Sequence, residues 1–301
     1  MSETIKLDID HKNHIGTITL NDPNHLNSLS FEDFIQIGEY LNKLNLDNDL
    51  YITVLQSSGN RIFSSGGKFE SVMELKNIDN TNQMNRIRQY IGNVSTPTIH
   101  MLNTFSSHNK PIICNLNGPA IGLSACLVLL CDLINVHLPI GSEEQGEERK
   151  PYLLFPFSSL GFVAEAGSSI MLYNKLSINI ANEHLIFSLP IRYNQMKNFG
   201  MIWKEYHYRD DYENKIDKNN DLDATDQFNK RCKNDIIKNI IENDLNPEAI
   251  TEMKRRMIYK MKQRLKKAIT EEIINTLPLW LSDEPISRFE QLSNKQRRHK
   301  L

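Results

Sequence analysis

The feature that most constrains the fold is an apolar segment that continues across a Gly/Pro turn, from Ile112 to Asp132. It begins with the β-rich run Ile112–Cys114, is broken at Gly118-Pro119, and continues as small and apolar residues up to Asp132. This order predicts a buried strand, a tight turn and a buried helix. A chain of 301 residues is long enough to bury such a segment in a full core.

The turn inside this segment is also suited to a ligand. Gly118 and Gly122 have no Cβ, so the backbone can approach a ligand closely there. A helix that begins near Leu123 would direct unpaired N–H groups, and the positive end of its dipole, at whatever precedes it. Such a position suits an anion or an oxygen that becomes anionic during a reaction. A buried helix with glycines at its entry explains the same residues, and this stretch alone slightly favours that simpler interpretation.

Strand-like and helix-like patterns alternate before this segment. Residues 5–9 and 15–20 are strand-like, Ser30 is a good N-cap for an amphipathic helix over 31–46, and residues 50–55 form a buried-type strand. The alternation predicts an α/β fold with crossover helices.

The C-terminal third has helical periodicity, over residues 228–243, 247–262 and 270–281. We therefore expect a core with the functional site in residues 1–205 and a C-terminal helical region in residues 206–301.

Composition excludes several classes of function. A formal net charge of −2 provides no basic field, so nucleic acid is not a favoured partner. No run approaches the roughly 18 apolar residues that a membrane span needs, and the N-terminus has no apolar signal core. The four cysteines form no Cys-x-x-Cys pair, so we expect reduced buried thiols, no disulfide framework and no metal site.

Two further stretches could carry chemistry. In residues 61–69, two serines and two glycines follow Phe63, which predicts either ligand-facing backbone N–H groups or a flexible surface loop. Glu165 is the one carboxylate in the otherwise apolar and small-residue stretch 152–169. Such a residue is a paired structural charge, part of a surface turn, or a catalytic base with a raised pKa.

Two charged stretches can be explained as solvent-exposed structure without a functional role. Residues 141–150 are charged and glycine-containing, which predicts an exposed loop insertion. The basic run over 254–267 is most often a solvated helix face, with a phosphate-bearing ligand as the alternative.

With these stretches in view, the chain resembles the crotonase (enoyl-CoA hydratase/isomerase) superfamily, and within it the peroxisomal Δ3,Δ2-enoyl-CoA isomerases. The resemblance depends on the order and spacing of residues 63–67, 117–125 and 160–167, and it extends from residue 27 to the C-terminus. It implies an α/β crotonase-like spiral of ββα units with a C-terminal helical trimerisation region. A homotrimer or a dimer of trimers is the assembly that it implies.

The resemblance also implies roles for individual residues. The backbone N–H groups of Gly67 and Leu123 would hold the thioester oxygen of an acyl-CoA, and Glu165 would be the catalytic base. Hydratases of this superfamily use two glutamates, which would fall on Leu127 and near Phe157. Both positions are apolar here, so hydration lacks its acid and its base.

The remaining implied contacts are with the substrate. The CoA part would lie near Leu26, Asn27 and Ser28. The residues implied to contact the rest of the substrate are Ser65, Gly66, Lys68, Phe69, Met73, Gly122, Phe157 and Phe162. No metal or redox cofactor is implied, because CoA is part of the substrate.

The implied activity is the shift of a 3-enoyl-CoA double bond to 2-trans-enoyl-CoA in fatty-acid β-oxidation. One alternative is a dienoyl-CoA isomerase, which needs a second acidic residue that the sequence does not identify. The other is a catalytically silent binding protein, against which the presence of Glu165 argues. The closing tripeptide His299-Lys300-Leu301 resembles a peroxisomal address, which predicts recognition by the import receptor and a peroxisomal location.

Overall fold

The computed structural model describes residues 3–74, 83–138, 150–207, 224–282, 284–294 and 296. Within these residues the strands are β1 (Ile5–Asp10), β2 (Ile15–Leu20), β3 (Ile52–Ser57), β4 (Ile112–Leu116), β5 (Ala120–Ile121), β6 (Leu133–Leu138), β7 (Leu153–Leu154) and β8 (Lys204–His207). The helices are α1 (Phe31–Leu46), α2 (Phe69–Glu74), α3 (Gln83–Tyr90), α4 (Thr96–Ser107), α5 (Leu123–Leu130), α6 (Ser168–Lys175), α7 (Ile178–Phe187), α8 (Tyr193–Asn198), α9 (Ala224–Ile236), α10 (Pro247–Trp280) and α11 (Glu284–Ser293).

The main sheet has the strand order β1-β2-β3-β4-β6-β8. Its first pair is antiparallel and the other pairs are parallel, with Ile18 opposite Leu55 and Cys114 opposite Ile134. Helices α1 and α4 pack together on one face of this sheet, and Ile236 of α9 packs on the other face. Because helices cover both faces, the inner strands β3, β4 and β6 are buried along nearly their whole length. The predicted α/β fold is confirmed.

Two local predictions are confirmed. Ser30 caps α1 in a reciprocal arrangement, in which the Asp33 N–H donates to Ser30 Oγ (3.2 Å) and the Ser30 N–H donates to Asp33 Oδ2 (2.7 Å). The apolar segment forms the buried strand β4 and the buried helix α5, with the short strand β5 between them.

The C-terminal region differs from the prediction in one respect. Helix α10 is continuous through residues 263–269, where the sequence suggested a break. Leu265, Ile269 and Ile273 follow one another at four-residue spacing and enter the main core, so packing sustains the helix there. The predicted division between residues 205 and 206 falls inside β8. The trimerisation role of this region stays a prediction.

The remaining predictions concern the charged insertion, the C-terminal tripeptide, the cysteines, membrane spans and metal sites. The predicted charged loop insertion, except for its last residue 150, and the tripeptide His299-Lys300-Leu301 lie outside the described residues. All four cysteines are buried and free, as expected. No helix in the described ranges combines the length and apolar character needed to cross a bilayer. Across the same ranges, no cluster of three or more His, Cys, Asp and Glu side chains could hold a metal ion.

Candidate active site

Two backbone segments lie side by side at the entry to α5. Phe63 N–H donates to the Pro119 carbonyl (2.9 Å), and Ile121 N–H donates to the Ser64 carbonyl (3.0 Å). Gly66 follows with a φ of +87°, and a Cβ there would lie 2.5 Å from the Ile121 carbonyl oxygen and 3.4 Å from Leu123 N. Only glycine combines this conformation with such a close approach. The loop after β3 therefore lies directly against the first residue of α5.

The two N–H groups predicted to bind an oxyanion are unused by the fold. On either side of Gly67, the Leu29 N–H donates to the Gly66 carbonyl (2.8 Å) and the Lys68 N–H donates to the Leu29 carbonyl (2.7 Å). The Gly67 N–H, which lies between these two bonds, takes part in neither. Among the described residues, neither Gly67 N–H nor Leu123 N–H has a protein acceptor. Both donors are thus available to a ligand.

A cavity of about 510 Å³ opens beside these loops. Its wall includes eight of the predicted residues, namely Leu26, Ser28, Ser65, Gly67, Lys68, Phe69, Gly122 and Glu165. The two loops and the predicted base therefore face one space.

Several other predicted contacts lie behind this wall, which corrects the sequence interpretation. Asn27 is 1% exposed and donates to the carbonyls of Ser58 (2.9 Å) and Phe63 (3.1 Å), so its amide is structural. Phe157 is core, and Phe162 packs on the Trp280 ring at 4.6 Å between centroids.

For three further residues the backbone is what matters. Gly66 is buried between the two loops, and Leu123 presents its backbone N–H while its side chain is core. Met73 falls in α2, at a position where only the backbone is described.

The sequence interpretation missed part of the wall. Trp280 at the end of α10, and Phe289 and Leu292 of α11, reach the cavity from the C-terminal region. Glu70 of α2 is a second carboxylate on the wall. The aromatic residues carry no local signal for this placement, because it depends on where α10 ends relative to the core.

Glu165 lies in an irregular turn before α6. Gly161, Ala166 and Gly167 in this turn have φ values of +78°, +57° and +76°. Glu165 is half-buried, and it lines the wall of the cavity. Its pKa is raised to about 7, mainly because burial removes water from the charged form and also because the negative charge of Glu272 lies nearby.

The three interpretations offered for Glu165 can now be compared. No Lys, Arg or His in the described part of the chain forms an ion pair with Glu165, and its carboxyl does not project from a surface turn. The Glu165 side chain is half-buried, faces the cavity and has a raised pKa, which is the pattern of a general base.

The turn is held by α10. Gly167 N–H donates to Glu272 Oε2 (2.6 Å), and Ser169 N–H donates to Glu272 Oε1 (3.3 Å). A Cβ on Gly167 would lie 2.2 Å from Leu265 Cδ1, so α10 also packs closely on the backbone there.

The positions of the two hydratase glutamates are occupied by core residues. Leu127 is 0% exposed and Phe157 is 4% exposed, and both belong to the main apolar cluster. Neither can supply or accept a proton. Among the described residues that line the cavity, the carboxylates are Glu165 and Glu70.

Comparison with known proteins identifies the family of this chain. The family model for enoyl-CoA hydratase/isomerase matches residues 10–267, and the chain belongs to this family. It is 44% identical over 284 residues to the Delta(3,5)-Delta(2,4)-dienoyl-CoA isomerase of Saccharomyces cerevisiae, covering 94% of each chain. It is 32% identical to the 3,2-trans-enoyl-CoA isomerase of the same yeast, covering 94% of this chain and 92% of the relative.

A solved structure matches the fold. The crystal structure of enoyl-CoA hydratase from Bacillus halodurans superposes with a TM-score of 0.74 at 19% identity, covering 96% of this chain and 99% of that chain. The resemblance to the crotonase superfamily and the crotonase-like fold are therefore confirmed.

Proposed function

We propose that this protein is an enoyl-CoA isomerase of fatty-acid β-oxidation, which moves the double bond of a 3-enoyl-CoA, cis or trans, to give 2-trans-enoyl-CoA. The observation that carries the proposal is the position of Glu165, a half-buried carboxyl with a raised pKa that faces the same cavity as the unused N–H group of Gly67. Isomerase relatives that match along nearly the whole chain support it.

The reaction follows from these groups. The thioester oxygen accepts hydrogen bonds from Gly67 N–H and Leu123 N–H, which lowers the pKa of the C2 proton. Glu165 removes that proton, and the electrons move into a dienolate whose charge lies mainly on the held oxygen. The Glu165 carboxyl then delivers the same proton to C4, and the double bond forms between C2 and C3. Loss of one such donor typically raises the barrier by about 3–4 kcal/mol.

The raised pKa of Glu165 suits this role. A base works best when its pKa lies near the working pH, because it is then ionised yet still a strong acceptor. The mechanism uses no metal or redox cofactor, since CoA is part of the substrate. Leu26, Ser28 and Lys68 at the cavity wall are the proposed contacts of the CoA part, with Lys68 supplying a cation for its phosphates.

A second candidate reaction is the conversion of 3,5-dienoyl-CoA to 2,4-dienoyl-CoA. It is favoured by the 44% identity to a relative of that name. This reaction moves a proton from C2 to C6, further along the acyl chain, so a second acid is useful. Glu70 is the carboxylate available for it on the described wall. Glu70→Gln should slow the dienoyl reaction and leave the 3-enoyl reaction unchanged.

The test uses 3-hexenoyl-CoA and 3,5-octadienoyl-CoA, followed by the absorbance of the conjugated product. Glu165→Gln should lower kcat with both substrates by about 100- to 10,000-fold, the usual contribution of a positioned base. Glu183→Gln, an exposed glutamate on α7, is the matched control. Wild-type activity in Glu165→Gln would contradict the proposed base. Formation of 3-hydroxyacyl-CoA from 2-enoyl-CoA would indicate a hydratase instead.

We also propose a peroxisomal location, import through His299-Lys300-Leu301, and assembly as a homotrimer or a dimer of trimers. A fluorescent protein fused ahead of the chain should reach peroxisomes, and removal of the tripeptide should leave it in the cytosol. Light scattering of the pure protein reports the assembly, and a monomer would contradict it.

A further inference from the structure

A buried carboxylate lies behind the Glu165 turn. Glu272 is on α10, is 8% exposed, and is not part of the cavity wall. The pKa of Glu272 is raised, because burial outweighs the opposing effect of the hydrogen bonds from Ser169 and Gly167. Burying a carboxylate is costly unless hydrogen bonds compensate, so its partners indicate what it does.

All the recorded partners of the Glu272 carboxylate lie just after Glu165 in the chain. Gly167 N–H donates to Oε2 at 2.6 Å, and Ser169 donates to Oε1 through both its N–H (3.3 Å) and its hydroxyl. These groups lie two and four residues after Glu165. One side chain of a distant helix therefore holds the backbone on which Glu165 is mounted.

The local sequence cannot do this by itself. Gly167 is the N-cap residue of α6 and has no side chain, so the helix has no capping hydrogen bond of its own. Gly167 also has a φ of +76°, and the neighbouring Ala166 has +57°. A carboxylate satisfies the free N–H groups of such a helix start and interacts favourably with its dipole.

We propose that Glu272 is a positioning residue for the base, which fixes the Glu165 carboxyl relative to the N–H groups of Gly67 and Leu123. The inference rests on the proposed function. One carboxyl must reach both C2 and C4 of a bound acyl chain, so a small displacement of the turn affects both proton transfers. A misplacement of about 1 Å can lower a rate by roughly 100-fold.

A carboxylate is required here because each of its oxygens only accepts hydrogen bonds. In Glu272→Gln one of these oxygens becomes an NH₂ group, which faces the N–H of Gly167 or of Ser169 and cannot accept a hydrogen bond from it. The change also removes a negative charge close to Glu165.

The electrostatic surroundings of Glu165 allow a second readout. Tyr90 of α3, Cys126 of α5 and Glu272 of α10 interact electrostatically with Glu165. Burial raises the pKa of both Tyr90 and Cys126, so these two are neutral in the working range. Glu272 is the charged member of this group, and its removal should lower the pKa of Glu165.

The experiment measures kcat, KM and the pH profile of kcat/KM with 3-hexenoyl-CoA. Folded Glu272→Gln should lose about 10- to 100-fold in kcat with little change in KM, by loss of positioning. The rising limb of its profile should move to lower pH. Ser169→Ala removes one hydrogen bond and keeps the charge, so a smaller loss of kcat with an unmoved rising limb is expected. Glu271→Gln, the exposed neighbour paired with Lys267 at 3.6 Å, is the matched control and should behave as wild type.

The outcomes separate the two proposals. A folded Glu272→Gln protein with wild-type kcat and pH profile overturns the positioning role. Where that variant does not fold, wild-type kcat in Ser169→Ala overturns it. Inactive wild-type protein, or an active Glu165→Gln variant, instead overturns the proposed function.

Discussion

The two halves of the site are held in place in different ways. The donor half, around Gly67 and Leu123, is fixed by backbone hydrogen bonds between neighbouring segments, such as Ile121 N–H to the Ser64 carbonyl. The base half is fixed by Glu272, which lies 105 residues after its partner Gly167 in the chain. The donors therefore depend on the edge of a sheet, and the base depends on a helix that returns from the C-terminal region. A substitution in one half of the site should therefore impair that half and leave the other in place.

Apart from loss of the base itself, the largest expected effect concerns the donor half. In Gly66→Ala the new Cβ would lie 2.5 Å from the Ile121 carbonyl oxygen, so the two backbone segments must separate. We expect kcat/KM with 3-enoyl-CoA to fall by about 100- to 1,000-fold, comparable to the loss of one oxyanion donor. The rising limb of the pH profile should stay in place, because Glu165 is untouched.

Gly92→Ala is the control for this change, since a Cβ there meets nothing within 4 Å. Near-normal activity in Gly66→Ala would mean that the close contact between these loops does not serve catalysis.

The next largest effect concerns the base half and is a change in the pH dependence of the free energy of unfolding. The pKa of Glu165 is raised to about 7 in the folded protein from an ordinary value of 4.5. Between these values the folded protein binds more protons than the unfolded chain. The stability that this group contributes is therefore present at pH 4.5 and below, and it is lost as the pH rises through 7. The full change is on the order of 3 kcal/mol.

Glu165→Gln removes this dependence. Relative to wild type, the variant should gain about 2–3 kcal/mol of unfolding free energy on going from pH 5 to pH 8. Urea unfolding at both pH values, at one protein concentration, measures the difference. If the free energies of unfolding of the two proteins differ by the same amount at both pH values, the pKa of Glu165 is not raised in the folded protein.

A smaller effect tests the contact between the base half and α10. In Gly167→Ala the Cβ would lie 2.2 Å from Leu265 Cδ1, at a residue with a φ of +76°. We expect the free energy of unfolding to fall by about 1–3 kcal/mol, because overpacking and backbone strain act together.

Gly200→Ala separates these two causes, since Gly200 has a φ of +68° but open space around it. The added substitution Leu265→Ala should restore part of the loss in Gly167→Ala. Equal losses in Gly167→Ala and Gly200→Ala would mean that the contact with α10 contributes nothing.

The same contrast explains how much the sequence could predict. The donor half lies within short stretches whose glycines, strand and helix entry are visible locally, and these predict the close approach at Gly122 and the helix entry near Leu123. The assignment of Gly67 and Leu123 as the two donors comes from the family resemblance. The Ser30 cap and the alternation of strands and helices are local in the same sense. The isolation of Glu165 among apolar residues left three interpretations open, and its assignment as the base comes from the family resemblance.

What the sequence did not predict depends on distant contacts. Glu272, Trp280 and Phe289 reach the site only because α10 continues unbroken to the far side of the core. The local sequence does not distinguish a buried glutamate on a helix from a solvated one. Asn27 shows a related limit, because its amide could bind a ligand or the carbonyls of Ser58 and Phe63, and only the fold decides.

The smallest predicted effect tests how far the two halves are independent. Cys126 lies on α5, the helix that begins at Leu123, and its Sγ donates to the Glu165 carbonyl at 3.6 Å. A thiol is a weak donor, so this contact should orient neither half strongly. In Cys126→Ala we expect a loss of about 1 kcal/mol in stability from the small cavity, and less than about a threefold change in kcat, since that corresponds to under 0.7 kcal/mol. A larger fall in kcat at preserved stability would show that α5 and the Glu165 turn move as one unit. In that case Gly66→Ala and Glu272→Gln would each be expected to disturb both halves of the site.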